Sequence, residues 1–85
     1  MTQTALDFTR PKPEQLFTPG SQNCRVYERL LQGPASNGEL IFGLRIGKYT
    51  GRISDIRKAL RPYLMDVRAD ADPIDRSRVV YRLVG

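Results

Sequence analysis

Between Arg45 and Arg61 the chain carries six Lys or Arg residues against a single acid, Asp55. In the same run Ile46, Tyr49, Ile53, Ile56 and Leu60 recur at helical spacing and form one apolar stripe. Turning that stripe inward leaves Lys48, Thr50, Gly51, Ser54, Asp55 and Lys58 outward, with Arg57 and Arg61 on the flank. This is recognition chemistry rather than bond-breaking chemistry. It offers cations for phosphate, hydroxyl donors, and a glycine at which a backbone can be approached closely.

Each residue has a functional and a plain reading. Lys48 suits a guanine edge or a phosphate, and Ser54 can donate to either. Lys58, Arg57 and Arg61 suit phosphate clamps; the plain alternative for each is a solvated face. Gly51 either admits a close backbone or is simply a loose helix position. Asp55 could accept from a cytosine amine, but an intrahelical pair with Arg52 or Lys58 is the simpler role. Arg52, at the edge of the stripe, is expected to pair with Glu39 or pack its stem. Arg25 and Arg29, one turn apart, suit flanking backbone contacts or an ordinary solvated face equally well.

The composition narrows the field. The 85 residues fit one small domain with a modest core, too small to enclose a deep pocket. The net charge of +5 favours an acidic partner. The chain has no histidine and a single cysteine, Cys24, which excludes His-based triads, intrachain disulfides and thiolate metal clusters. Cys24 is expected to pack as a small core residue. There is no Gly-rich phosphate loop with its Lys. The expectation is a non-enzyme without cofactor or metal. No segment reads as a membrane span or a secretory signal, so a cytoplasmic protein is expected.

The elements that position the basic run follow from capping and periodicity. Residues 1–20, with Pro11, Pro13, Pro19 and Gly20, are expected to form a flexible arm, leaving residues 21–85 as the domain. Ser21 reads as the N-cap of a first helix over 22–32, which Gly33 and Pro34 stop. Ser36-Asn37-Gly38-Glu39 has capping-box spacing and opens a short second helix over 37–44. Gly47 is expected to take a left-handed conformation in the tight turn before a third helix over 48–60. Beyond Pro62 the period becomes two: Met65, Val67 and Ala69, then Val79, Tyr81 and Leu83, form a hairpin around a turn at 71–75. Residues 33–35 could add a short third strand. The expected core is Tyr27, Leu30, Leu31, Leu40, Leu44, Ile46, Tyr49, Ile53, Ile56, Leu60, Val67, Tyr81 and Leu83.

Helix, short helix, tight turn, helix and hairpin make an α+β winged helix-turn-helix: three helices plus a C-terminal β-hairpin wing. The alternative is a three-helix bundle with an unrelated hairpin. Ser21-Gln22-Asn23, Glu39, Ile46-Gly47-Lys48, the run Arg52–Lys58 and Tyr81-Arg82-Leu83 resemble small phage and prophage winged helix-turn-helix proteins. The resemblance covers residues 21–85 and is most specific from Ile46 to Lys58. It implies double-stranded DNA binding by a regulator or an accessory of replication or recombination, in a bacterial cytoplasm at the nucleoid, with a homodimer as one arrangement. In such proteins the third helix enters the major groove. The wing tip departs from the pattern: Asp70, Asp72 and Asp75 crowd it, and only Arg76 and Arg78 answer them, so either these two arginines make the wing's DNA contact or the wing faces something else.

The arm carries one further pattern. Gln3, Leu6 and Phe8 resemble the short peptide with which bacterial replication and repair proteins bind the sliding clamp; Gln15-Leu16-Phe17 is a fainter echo. The alternative is a tail with incidental apolar residues. A protein-interaction adaptor or inhibitor, binding a host clamp, polymerase or nuclease, is therefore the competing function.

Overall fold

A computed structural model describes residues 10–85. The first ordered element begins earlier than the sequence implies. Pro13 opens a single helical turn, α1 (Pro13–Leu16), at the position where a missing N–H costs nothing. Pro11 is buried, and its carbonyl accepts a 2.7 Å hydrogen bond from the Tyr27 hydroxyl. The Phe17 ring meets Tyr27 edge-on at 5.8 Å. The expected arm therefore cannot extend to residue 20. The prolines read as breakers instead fill a buried position and start a turn.

Ser21 accepts from the Cys24 N–H at 3.1 Å and caps α2 (Gln22–Gln32). Its inward residues Cys24, Val26, Tyr27 and Leu30 are buried. The helix stops at Gly33, whose φ of 143° suits a residue without Cβ. Ser36 and Glu39 then form the expected capping box: Ser36 N–H donates to the Glu39 carboxylate at 3.3 Å, and Glu39 N–H donates to Ser36 Oγ at 3.2 Å.

The segment that follows is not the ordinary helix expected over 37–44. Glu39–Gly43 is a π-helical turn, closed by Leu44 N–H donating to the Glu39 carbonyl. Ile46 N–H then reaches the Leu40 carbonyl at 2.9 Å, one residue wider than an ordinary helix-end closure. The left-handed residue in this closure is Arg45, at φ 59°, and not Gly47. The reversal thus lies two positions upstream of the glycine, directly after the end of the π turn at Leu44.

Helix α3 (Tyr49–Leu60) comes next, and a 3₁₀ turn at Arg61–Tyr63 ends it. Three strands complete the domain: β1 (Ala35–Ser36), β2 (Asp66–Ala71) and β3 (Val79–Val84). They form an antiparallel sheet in the order β1-β3-β2. Ala35 pairs with Tyr81, and Ala69 pairs with Tyr81 from the other side. The fold is a small α+β domain. Val67, Tyr81 and Leu83 point from the sheet into a core shared with Leu30, Leu40, Ile46, Ile53, Ile56 and Leu60. Each such side chain contributes about 1.5–3 kcal/mol by leaving water. Leu31, Leu44 and Tyr49 sit only at the core's edge, and Cys24, Val26, Ala35 and Met65 join it. Among the described residues no helix is long and apolar enough to cross a membrane, and no acidic, Cys or His cluster suits a metal.

Candidate nucleic-acid interface

Helix α3 is two-sided. Ile53, Ile56 and Leu60 are buried, and the half-buried Tyr49 ring meets Tyr81 edge-on at 6.0 Å. Lys48, Thr50, Ser54, Lys58 and Arg61 are exposed. Thr50, Ser54 and Lys58 are four apart and form one row along the helix. Gly51 borders that row, and a Cβ placed on it would meet nothing within 4 Å. Among the described residues no side chain caps the start of α3, and its first turn has no acid. The Gly51 and Arg52 amides donate to the Lys48 carbonyl, at 3.1 and 3.3 Å, and no side chain offsets the partial positive charge of the helix start.

The helix runs antiparallel to β2. Thr50, near its start, shares with Ala69 and Tyr81 a groove of about 630 Å³ between helix and sheet. Arg57, two turns on, reaches back to Asp66 at the start of β2. The beginning of α3 and the tip of the hairpin therefore lie at the same end of the domain.

Several cations predicted to be free are engaged. Arg57 donates to both oxygens of Asp66, at 2.8 and 3.4 Å. That pairing raises the Arg57 pKa and holds the Asp66 carboxyl below its ordinary range. Arg78 donates to Asp72 at 3.2 Å. Arg52, expected to pair with Glu39, instead makes the intrahelical pair expected for Asp55, at 3.2 Å, and Asp55 also accepts from Asn23 at 3.3 Å. Glu39 belongs to Arg29 instead, at 2.7 Å, and that hydrogen bond keeps its pKa low. Arg29 further donates to the carbonyls of Gly33 and Pro34, and Arg25 to that of Leu44. Neither is an idle surface residue; both close the ends of neighbouring elements. Among the described residues Lys48, Lys58, Arg61 and Arg76 make no ion pair.

The acidic tip resolves into architecture. Asp72 accepts from the N–H groups of Ile74 and Asp75, and these bonds depress its pKa. Asp75 accepts from the Ser77 N–H and hydroxyl. Asp70 lies between Arg68 and Arg82 at 3.0 and 3.4 Å. All three acids shape the loop, and Asp70 and Asp72 are also ion-paired with arginines. Asn37, which composition left unremarked, ties the loop down. Its amide donates to the Ser77 carbonyl at 2.9 Å, and its oxygen accepts from Val79 N–H at 3.2 Å. Its place inside the Ser36–Glu39 capping box was the available signal; the partner, some forty positions away, was not. Gln3, Leu6 and Phe8 lie outside the described residues.

Comparison with protein-family models, curated proteins and solved structures finds no match to the chain.

Proposed function

We propose that the protein binds double-stranded DNA as a winged helix-turn-helix module, with α3 in the major groove and the β2–β3 hairpin as its wing. One observation carries the reading: α3 buries Ile53, Ile56 and Leu60 on one face while Lys48, Thr50, Ser54 and Lys58 stand exposed on the other, with no acid pairing either lysine among the described residues. The order helix, strand, helical turn, helix, strand, strand, with the hairpin tip beside the start of α3, suits that architecture. Lys48 reads bases, and Lys58 and Arg61 neutralise phosphates. A phage or prophage regulator, or an accessory of replication or recombination, is the corresponding role. Selection of bound sites from a random duplex library, followed by electrophoretic titration, tests it. Lys48→Ala is expected to erode discrimination, and Lys58→Ala to weaken all duplexes alike. Identical effects of both variants on selected and random duplex would remove α3 as a reader.

A second reading, an adaptor for a host protein, is favoured by Phe42 and Leu64, which are large, apolar and exposed. Deleting residues 1–9 tests whether the Gln3, Leu6 and Phe8 pattern takes part. The cut must precede Arg10, because Pro11 and Phe17 pack on Tyr27. Loss of a pulled-down partner with unchanged duplex affinity would favour the adaptor.

A further inference from the structure

Ile74 is 94% exposed at the apex of the β2–β3 hairpin. Its exposure does not come from a slack loop. Asp72 Oδ1 fixes the Ile74 and Asp75 amides at 2.8 and 3.1 Å. Asp72 N–H donates to the Arg78 carbonyl at 2.8 Å, and Arg78 N–H to the Asp75 carbonyl at 3.0 Å. Asn37 then anchors Ser77 and Val79 to the π-helical turn. The result is a braced loop that holds one branched apolar side chain out into water.

The charge around that side chain indicates what it meets. Asp72 is paired with Arg78, and Asp70 on the adjoining strand lies between Arg68 and Arg82. Asp75 keeps its charge but turns it onto the Ser77 N–H and hydroxyl, so that Arg68, Arg76, Arg78 and Arg82 leave the hairpin one cation in excess of Asp70, Asp72 and Asp75. Arg76, two residues from Ile74, is exposed and makes no ion pair among the described residues. An apolar protein pocket would not call for an unmatched cation beside the inserted group; an apolar slot bordered by phosphates would. The position agrees. The tip extends past Ala69, which shares a groove with Thr50, so it projects beyond the start of α3. At ~3.3 Å per residue, the three residues from Ala69 to Asp72 advance the tip by about 10 Å. That reaches across one sugar–phosphate strand from a helix lying in the neighbouring groove.

We propose that Ile74 is a wedge that enters a base-pair step of the minor groove and kinks the duplex, with Arg76 alongside it on the groove wall. The inference rests on the DNA-binding reading and adds to it a mechanical action on the DNA. Apolar wedges of this kind unstack a step and bend the duplex by roughly 20–90°. Flexible pyrimidine–purine steps yield most readily, so the preferred site would contain one where the protein reads no base edge.

The test uses the full chain and a selected duplex of about 30 bp, or a mixed-sequence duplex of that length if selection enriches none. End-to-end energy transfer reports bending, and permanganate reactivity of thymines reports unstacking at any position. The unaltered protein is expected to bend the duplex and expose a thymine at one step. Ile74→Ala should keep its fold, since the side chain touches little, and should bind within about tenfold of the unaltered protein because the burial forgone and the unstacking avoided nearly offset. It should lose both bend and thymine reactivity; Ile74→Met should retain them. Binding without bending, or an equal bend with Ile74→Ala, would overturn the wedge and leave DNA binding in place. Absence of any duplex binding would overturn both. Loss of a protein partner on Ile74→Ala, with no distortion of DNA, would assign the tip to a protein instead.

Discussion

The Arg57 guanidinium lies on the Asp66 carboxylate, with Nε 2.8 Å from Oδ1. It joins the outer face of α3 to the first residue of β2 and withdraws one cation from the basic row. Arg57→Ala should therefore weaken duplex binding less than Lys58→Ala does. Asp66→Asn should strengthen it, by releasing Arg57 and removing a negative charge. Removing one phosphate-binding cation should reduce the slope of log affinity against log salt by about 0.9. Titrations at several salt concentrations measure this, and a larger effect of Arg57→Ala than of Lys58→Ala would reverse the assignment.

Capping and periodicity, which are local, were legible in the sequence. Ser21, the Ser36–Glu39 box, the inward set of α3 and the alternation within each hairpin strand all depend on residues within a few positions of one another. A short third strand, expected over residues 33–35, is present at Ala35–Ser36. Of the ion pairs, the intrahelical Arg52–Asp55 was legible from its spacing, and those between elements were not. Arg57 and Asp66 meet only because α3 folds back along β2, and Arg29 takes Glu39 before Arg52 can. The π turn escaped for a different reason. Its one-residue expansion leaves no compositional mark, and the left-handed residue that follows it is Arg45 rather than the expected Gly47.

Gly51 allows the two meanings of a helical glycine to be separated. Nothing lies within 4 Å of the site of a Cβ, so Gly51→Ala should fit. Better helix propensity should stabilise the domain by about 0.5–1 kcal/mol. If a backbone approaches there, duplex affinity falls although the fold is firmer. Thermal unfolding and binding titration, run together, read the two effects. Unchanged affinity would make Gly51 a merely loose position.

Acid should destabilise the domain through Glu39, Asp66 and Asp72. Their folded-state pKa values are held low: by Arg29 and the Ser36 amide for Glu39, by Arg57 and the Val67 amide for Asp66, and by the Ile74 and Asp75 amides for Asp72. The unfolded chain binds these protons more readily, so their contribution is complete above the ordinary carboxylate range of about 3.9–4.3. It is lost as pH falls through that range and below it. Urea midpoints should hold near neutrality and drop under acid conditions, and Glu39→Gln should flatten part of the drop. A midpoint that rises on acidification would contradict the pairing.

Tyr27→Phe removes the hydroxyl from a buried hydrogen bond and leaves the Pro11 carbonyl without its 2.7 Å donor. The cost should be about 1–3 kcal/mol. Because burial raises the Tyr27 pKa, the hydroxyl remains a donor throughout the neutral range. Calorimetry of the full chain should show the lower melting temperature, and removal of residues 1–9 should not reproduce it.

The central place of β3 in the sheet has a kinetic consequence. Arg29 reaches Glu39 over a span of ten residues, so α2, β1 and the π turn can assemble through short loop closures. Both pairings of the sheet, by contrast, wait for β3, whose contact with Ala35 joins distant parts of the chain. Folding should begin in the α2–π turn segment and finish when β3 slots between its neighbours. Substitutions at Arg29 should then slow refolding, while substitutions at Val80 should mainly hasten unfolding.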